Sequence, residues 1–174
     1  HLASSILLLL IMNILLHWWY RMKKINFEYI IIVGCSRFGT NIATELSLSG
    51  RDVVIIDINE NSFRKLSANY SGFKVVGDAT DIDTLMEVDI YKATMLIAAT
   101  NDDDVNIMIS LIAKNILNID TVITRLYDNE KEVVYEGLDI KIIRPTTLTI
   151  NEFDKLLEIN KAVNKKSLIR RVGA

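Results

Sequence analysis

A loop with two glycines carries the clearest chemical signal in the sequence. Gly34 directly follows the apolar run 29–33, and Gly39 comes five residues later in the segment Gly-Cys-Ser-Arg-Phe-Gly. A helical pattern begins inside this segment. A strand that turns tightly at a glycine into a helix presents free backbone amides, which together with the helix dipole bind phosphate groups. The spacing therefore predicts a phosphate-binding loop over residues 34–39.

Three side chains inside this loop each allow two interpretations. Ser36 stands where the G-x-G-x-x-G pattern of dinucleotide-binding loops has its middle glycine. Its Cβ would either loosen or tilt a bound dinucleotide, or mark a loop that has lost its ligand. Cys35 is either a small residue that fits the turn or a redox-sensitive thiol at a helix N-terminus. Arg37 either reaches a phosphate or is a solvated surface residue.

An acidic residue ends the second apolar run. Asp57 follows residues 52–56 and lies 23 positions after Gly34, with Ile58 and Asn59 next in the chain. An acid about 20 residues after the first glycine accepts hydrogen bonds from ribose hydroxyl groups in dinucleotide-binding folds. Its charge would repel a 2′-phosphate. The position therefore predicts a ribose contact and disfavours NADP as a ligand.

Polar residues also follow the later apolar runs. They are Gly77, Asp78 and Ala79 after the third run, Thr100, Asn101 and Asp102 after the fourth, and Arg125 at the end of the fifth. Because the carboxyl ends of parallel strands face one crevice, we expect these residues to meet the glycine loop there. Arg125 would either reach into the crevice or pair with the acidic run 102–104. That run either caps the next helix, or binds a cation, or senses charge.

Apolar periodicity indicates the elements that position these residues. Helices are predicted at 37–49, 60–69, 81–88, 103–117, 130–136 and 147–162. Strands are predicted at 29–33, 52–56, 73–76, 95–99, 122–125 and 140–143. Alternating strands and helices with short connections predict an α/β fold, Rossmann-like and doubly wound, around a mostly parallel six-stranded sheet.

A hydrophobic segment precedes this body. Residues 2–20 contain no Lys, Arg, Asp or Glu, end in Trp-Trp-Tyr, and are followed by Arg21, Lys23 and Lys24. A helix over this length, aromatic residues at its end and adjacent positive charges are typical of a membrane span with a cytoplasmic flank. We therefore expect a transmembrane helix that anchors the body at the cytoplasmic face of the membrane. A signal peptide and an amphipathic core helix are the alternatives.

Charge divides the chain into three parts: residues 1–24 with a basic flank, an acidic body over 25–150, and a basic tail over 151–174. The body contains 11 basic and 19 acidic residues, which excludes nonspecific electrostatic binding of nucleic acid over its whole surface. The chain has one Cys, and its two His residues are His1 and His17. The body therefore lacks His-dependent catalytic triads, and we expect neither catalytic residues nor a metal site.

Taken together, the motifs resemble the TrkA-N family, also called the RCK or KTN domain, the regulator of potassium conductance. The resemblance covers about residues 28–150. It is carried by Gly34 through Gly39, Asp57, Val76-Gly-Asp78, Thr100 through Asp103, Asn106, and Thr124-Arg125. It implies a cytoplasmic domain that binds NAD(H) or ATP/ADP, forms a homodimer or larger ring, and gates a potassium channel or transporter subunit.

The resemblance also implies roles for individual residues. Gly34, Cys35, Ser36, Arg37 and Phe38 would hold the phosphates, and Asp57 the ribose. Asp78 would lie near the adenosine, Thr100 and Asn101 would line the cleft, and Arg125 would reach a phosphate.

Three departures from the family pattern qualify the resemblance. Ser36 replaces a glycine. The C-terminal ligand-binding subdomain of many members does not follow, so a second RCK subunit is expected to supply it. The hydrophobic lead resembles channels in which a membrane helix runs into the domain, but no T-V-G-Y-G filter occurs.

Two other functions stay open. One is a ligand-free scaffold or adaptor subunit of a potassium transporter, which the Ser36 departure favours. The other is an NAD-dependent oxidoreductase, for which residues 25–150 leave no room for a substrate domain. The motifs together favour a regulatory, non-enzymatic subunit that binds a nucleotide.

Overall fold

The computed structural model describes residues 28–157 and, outside that range, Met12. Six short strands form its centre. They are β1 (Tyr29–Val33), β2 (Asp52–Asp57), β3 (Phe73–Val76), β4 (Met95–Ala98), β5 (Thr121–Arg125) and β6 (Ile140–Ile143). Runs of β-branched residues favour extended backbone, and strands buried on both faces of a parallel sheet are almost wholly apolar.

The six strands form one sheet in the order β3-β2-β1-β4-β5-β6, and every neighbouring pair is parallel. This order confirms the predicted Rossmann-like α/β fold. The chain reverses its direction of travel across the sheet between β1 and β4. Ligands of such sheets bind outside the carboxyl ends of the strands at this reversal.

Helices cover both faces of the sheet. The α-helices are α1 (Arg37–Leu48), α2 (Ile82–Glu87), α3 (Asp103–Leu111) and α4, whose described part is 145–157; a π-helical turn, Ile112–Ile116, continues α3. Short 3₁₀ helices occur at Glu60–Lys65, Ile90–Lys92 and Asn129–Tyr135. A helix lies between each strand and the next parallel strand, and the helices and the sheet form the layers expected of an α/β domain.

Two hydrophobic clusters fill the space between sheet and helices. One cluster contains Ile31, Val54 and Leu96 from the sheet, together with Leu85 and Ile109 from α2 and α3. The other lies on the opposite face. It contains Ile30, Ile32 and Ile55, which pack against Ala43, Ile42 and Leu46 of α1. Alternating side chains of one strand therefore pack into the cores on opposite faces of the sheet.

Two predicted α-helices are 3₁₀ helices instead. The 60–69 helix is limited to Glu60–Lys65, and the 130–136 helix is Asn129–Tyr135. In the first, Phe63 and Leu66 are the apolar residues that pack on the core, and they lie three positions apart. A spacing of three matches the three residues per turn of a 3₁₀ helix, so both side chains face the sheet without a longer helix.

The predicted 103–117 helix changes character part-way. Its α-helical part ends at Leu111, and the backbone N–H of Leu117 then donates to the carbonyl of Ile112, 3.0 Å away, across a π-type turn. Leu117 and Ile119 are both buried beyond this turn. The wider turn therefore delivers two apolar side chains to the core before β5.

Apart from Met12, the predicted hydrophobic helix over residues 2–20 lies outside the described residues, as does the chain after residue 157. Within residues 28–157, no helix has both the length and the apolar character that a membrane crossing requires.

Candidate functional site

The glycine loop is held in a shape that only glycine permits at two positions. Gly34 has φ +104°, and a Cβ built there would lie 2.6 Å from the Cα of Thr100. A Cβ at Gly39 would lie 2.0 Å from the carbonyl oxygen of Gly34. The loop thus passes directly over the residues that follow β4. The start of α1 packs so closely against the end of β1 that no side chain fits at Gly39.

Ser36 is the N-cap of α1, and its side chain is directed into the protein. Its hydroxyl accepts from the backbone N–H of Gly39 at 3.1 Å and donates to the carbonyl of Ala99 at 2.6 Å. The Ser36 residue is only 4% exposed. This serine therefore caps the helix and ties the loop to β4, and its hydroxyl is turned away from the outer surface of the loop.

Asp57 connects β2 to the same loop. One carboxylate oxygen accepts from the backbone N–H of Cys35 at 2.7 Å, and the other accepts from the backbone N–H of Asn59 at 2.9 Å. Asp57 is partly exposed. A carboxylate has about four acceptor positions, so these two bonds leave capacity for a ligand hydroxyl group.

The side chain of Cys35 is fully buried, and its thiol is free. Burial, and after it the charge of Asp57, raises the pKa of its thiol to about 12. The structure thus favours the interpretation of Cys35 as a small residue that fits the turn. A thiol that is neither exposed nor ionised is a poor nucleophile.

We predict that Cys35 does not react in the native chain. With iodoacetamide at pH 8, alkylation of the folded protein should be at least about 100-fold slower than alkylation of the urea-unfolded protein. Because the chain has one cysteine, intact-mass spectrometry reports this site alone. Equal rates in the folded and unfolded states would contradict the prediction.

A first cleft, which we call the acidic cleft, opens between the carboxyl ends of β1, β2 and β4. Its volume is about 310 Å³. Its lining includes Gly34, Asp57, Ile58, Gly77, Asp78, Ala79, Thr80, Thr100 and Asp102, with Val105 and Ile109 of α3 below. Three carboxylates and several apolar side chains form its walls. Such a lining suits an uncharged group that carries hydroxyls, such as a nucleoside.

Asp78 is kept ionised inside the acidic cleft. The Thr80 hydroxyl donates to Asp78 at 2.7 Å and the Thr80 backbone N–H donates to the same oxygen at 2.9 Å. These two bonds, the hydroxyl bond first, hold the pKa of Asp78 below its ordinary value. The carboxylate therefore remains an acceptor over the physiological pH range.

Arg125 brings a buried positive charge to the end of β5. Only 2% of the residue is exposed. Its guanidinium donates to the carbonyl of Thr100, to Asn101 Oδ1 at 3.1 Å and to the Ser36 hydroxyl at 3.3 Å. It also lies 4.6 Å from the centre of the Tyr127 ring, a cation–π distance. Burial lowers its pKa.

No carboxylate among the described residues forms an ion pair with Arg125, and its Nε atom is buried without a hydrogen-bond partner there. The negative charge of Asp103 acts on Arg125 from a distance, but every hydrogen bond of the guanidinium goes to a neutral group. A buried charge with this environment attracts an anion.

A second cleft, which we call the basic cleft, lies beside the start of α1. Its volume is about 650 Å³, and it is lined by Arg37, Phe38, Thr40, Asn41, Lys65, Asn101, Arg125 and Tyr127. Of the residues that the structure describes, three cationic side chains and no acidic ones face this space. The amino end of α1 contributes its positive dipole to the same region, so the basic cleft favours an anionic group.

Comparison with known proteins identifies the family. The family model of the TrkA-N domain matches residues 30–145. The chain belongs to the TrkA-N domain family. It is 34% identical over 122 residues to the Trk system potassium uptake protein TrkA of Streptomyces coelicolor, with 70% of this chain and 53% of that protein covered. This chain therefore spans about half the length of that relative.

Solved structures agree with this membership. The GsuK channel bound to NAD is 27% identical, with a TM-score of 0.66 over 78% of this chain and 24% of that one. GsuK bound to ADP is also 27% identical, with a TM-score of 0.65 over 77% of this chain and 35% of that one. The expected resemblance to the TrkA-N and RCK family is thereby confirmed.

The three consecutive acids of this TrkA-N domain have separate structural partners. Asp102 caps α3 by accepting from the backbone N–H groups of Asp104 and Val105, at 2.8 and 3.2 Å. Asp103 accepts from the backbone N–H groups of Tyr127 and Asp128, at 3.0 and 2.8 Å. Asp104 pairs with Lys131 at 2.6 Å.

Capping, loop clamping and an ion pair therefore account for all three acids of this run without a cation. Within residues 28–157, no three His, Cys, Asp or Glu side chains are grouped to hold a metal ion.

The predicted ligand residues of the TrkA-N domain divide between the two clefts. The acidic cleft collects Gly34, Asp57, Ile58, Gly77, Asp78, Ala79, Thr100 and Asp102, and the basic cleft collects Arg37, Phe38, Asn101 and Arg125. Cys35, Ser36 and Gly39 are buried residues of the loop, and Asn59 donates its backbone N–H to Asp57. Their roles in ligand binding stay predictions.

Sequence reasoning missed several residues that line the clefts. Tyr127 follows Arg125 by two positions, and Thr80 follows Asp78 by two, so a wider window at each strand end would have included both. Lys65 is different, because it lies on a 3₁₀ helix and only the fold brings its Nζ to 3.3 Å from the Cys35 carbonyl. No local pattern in the sequence signals that position.

Proposed function

We propose that this chain is a nucleotide-binding, non-enzymatic regulatory part of a potassium transport system. The main support is the hydrogen bond from the Cys35 backbone N–H to Asp57. This bond joins the glycine loop at the start of α1 to a carboxylate in the position that binds ribose in dinucleotide-binding folds. Family membership and the nucleotides held by GsuK, NAD in one structure and ADP in another, support this proposal.

The ligand we propose is NAD(H) or an adenine nucleotide such as ATP or ADP. The nucleoside would occupy the acidic cleft, with its ribose hydroxyl groups on Asp57. Its phosphates would lie at the amino end of α1, beside the basic cleft and Arg125. A 2′-phosphate would meet the Asp57 carboxylate, so NADP is disfavoured. The residues present fit such a group, because its negative charge would compensate the buried guanidinium.

Regulation would require assembly. We propose a homodimer or larger ring that acts with a membrane potassium channel or transporter subunit at the cytoplasmic face, where a second RCK subunit is one further partner. Exposed apolar side chains along α4 support assembly: Leu148, Ile150, Phe153, Leu156 and Leu157. The nucleotide would then bias the assembly between two states to the extent that it binds one of them more tightly.

The scaffold alternative rests on Ser36, whose Cβ is expected to loosen or tilt a bound dinucleotide. The Ser36 side chain is buried and bonded to β4. That geometry weakens the reason to regard the loop as degenerate, and the described residues offer no specific observation that favours an oxidoreductase.

We predict that substitution of Asp57 with Asn weakens nucleotide binding by about 10- to 100-fold. The amide cannot replace the charge-assisted acceptors that a ribose needs, and such bonds contribute about 1.5–3 kcal/mol each. Isothermal titration calorimetry of the intact chain with NAD, NADH, NADP, AMP, ADP and ATP measures this effect. NADP should bind at least about tenfold more weakly than NAD.

The matched control is Asp120→Asn, the same chemical change at an exposed residue before β5, which should leave every affinity unchanged. If the unmodified chain bound no nucleotide more tightly than about 1 mM, equivalent to about −4 kcal/mol, the sensor proposal would fail and the scaffold interpretation would replace it.

A further inference from the structure

Asn106 is the most completely bonded side chain in the described structure near the site. It is fully buried in α3. Its Oδ1 accepts from the Thr100 backbone N–H at 2.9 Å and from the Thr100 hydroxyl at 2.8 Å. Its Nδ2 donates to the carbonyl of Thr100 at 3.2 Å and to the carbonyl of Arg125 at 3.1 Å. Both donors and both acceptor positions of the amide are therefore used.

The two residues that Asn106 holds belong to different clefts. Thr100 lines the acidic cleft, and Arg125 lines the basic cleft. Asn106 lines neither. The Arg125 guanidinium returns to the Thr100 carbonyl and to Asn101, which closes a ring of hydrogen bonds around the ends of β4 and β5. The Asn106 amide thus links the backbone of a residue in one cleft to the backbone of a residue in the other.

We infer that Asn106 is a positioning residue for the nucleotide site. It sets the end of β4, over which the glycine loop crosses, and the backbone from which Arg125 extends, so that both clefts keep the spacing one ligand needs. This inference rests on the proposed function. An amide is required because two carbonyl oxygens face Nδ2. A carboxylate would place a third acceptor oxygen against them where the amide has its donor.

The test compares Asn106→Asp with Asn115→Asp in the intact chain. Asn115 is exposed in the π-helical turn that continues the same helix, so it receives the same chemical change without losing buried bonds. At pH 8 the Asn106→Asp variant should bind NAD and ADP at least about tenfold more weakly than the unmodified chain. The Asn115→Asp variant should bind as the unmodified chain does.

The pH profile separates positioning from a general loss of stability. The introduced carboxyl would be buried against two carbonyl oxygens, which raises its pKa above the ordinary value. Its protonation toward pH 5.5 restores one donor to a carbonyl, so the affinity deficit of Asn106→Asp should narrow between pH 8 and pH 5.5. The Asn115→Asp variant should show no such narrowing. Affinities are measured by calorimetry below the unfolding temperature of each variant, which circular dichroism establishes.

Each outcome has a separate meaning. Absence of NAD and ADP binding by the unmodified chain would overturn the proposed function and this inference with it. Equal binding by the unmodified chain and by folded Asn106→Asp would overturn the inference alone, whatever the loss in thermal stability.

If Asn106→Asp does not fold, Asn106→Ser, which adds no charge, takes its place. A further measurement uses the unmodified chain. The side-chain NH₂ resonances of Asn106 should shift when NAD or ADP saturates the protein, while those of Asn115 do not. An unshifted Asn106 signal would contradict the inference.

Discussion

Replacement of Gly39 with alanine is expected to destabilise the fold by about 3 kcal/mol or more and to remove nucleotide binding. The added methyl group would lie 2.0 Å from the Gly34 carbonyl oxygen and 3.3 Å from the Ala99 side chain. The first contact is with backbone of the glycine loop itself, so relief requires the loop to open or α1 to move away from β1. Either movement would disturb the amides that are proposed to hold phosphate.

Gly50→Ala is the matched control for this prediction. Gly50 follows α1 and has φ +81°, and a methyl group added there would meet no atom of the described residues within 4 Å. The strained backbone should cost about 1 kcal/mol, with no effect on binding. Urea unfolding followed by circular dichroism gives the stabilities, and calorimetry with NAD and ADP gives the affinities. A Gly39→Ala variant no less stable than Gly50→Ala would show that the close approach is absent in solution.

Replacement of Arg125 with leucine is expected to cost about 2–4 kcal/mol of stability, which is the second large effect. The leucine would leave the Thr100 carbonyl, Asn101 and the Ser36 hydroxyl without the donor they now share, and it would lose the contact with Tyr127. The same change removes a cation from the basic cleft. Affinity for NAD and ADP should therefore fall at least about tenfold.

Arg51→Leu separates this effect from a general loss of positive charge. Arg51 is half-exposed and pairs with Glu28 at the opposite, amino end of the sheet, so its loss should cost no more than about 1 kcal/mol and should leave binding intact. Thermal and urea unfolding of both variants gives the comparison. If Arg125→Leu were as stable as Arg51→Leu, the buried hydrogen-bond ring at β4 and β5 would have no energetic importance.

Polar residues at and just beyond the strand ends hold the glycine loop in place. Asp57 and Arg125 end β2 and β5, and Thr100 lies two residues beyond the end of β4. Asp57 and Arg125 are bonded to the glycine loop, and Thr100 is bonded to Arg125. Such bonds fix the loop before a ligand arrives. A fixed loop loses less conformational freedom on binding, which favours affinity for a small ligand.

The fold class and the strands could be predicted from the sequence because their signals are local. Short apolar runs such as 29–33 and 53–56, rich in β-branched residues, favour strands covered on both faces, and the glycines at 34 and 39 mark the turn into α1. The positions of Asp57, Asp78 and Thr100 at strand ends followed from the same pattern. Parallel topology then required these residues to share one edge of the sheet.

Two helices were predicted wrongly because local pattern does not distinguish a short α-helix from a 3₁₀ helix. The segments Glu60–Lys65 and Asn129–Tyr135 have caps and polar faces that suit either form. Which form occurs depends on how far the chain must advance to reach the next strand, and this distance is a property of the packed sheet.

By itself, therefore, the sequence determined the Rossmann-like order of elements, the glycine loop and the position of Asp57 at the end of the second strand. Only the tertiary structure decided where the side chains of Ser36 and Arg125 point. Ser36 turns inward to β4 because Ala99 presents a carbonyl there, and Arg125 is buried because Thr100 and Asn101 meet it. These partners lie 24 or more positions away in the chain, so no local pattern specifies them, and the division into an acidic and a basic cleft arises only when the sheet brings them together.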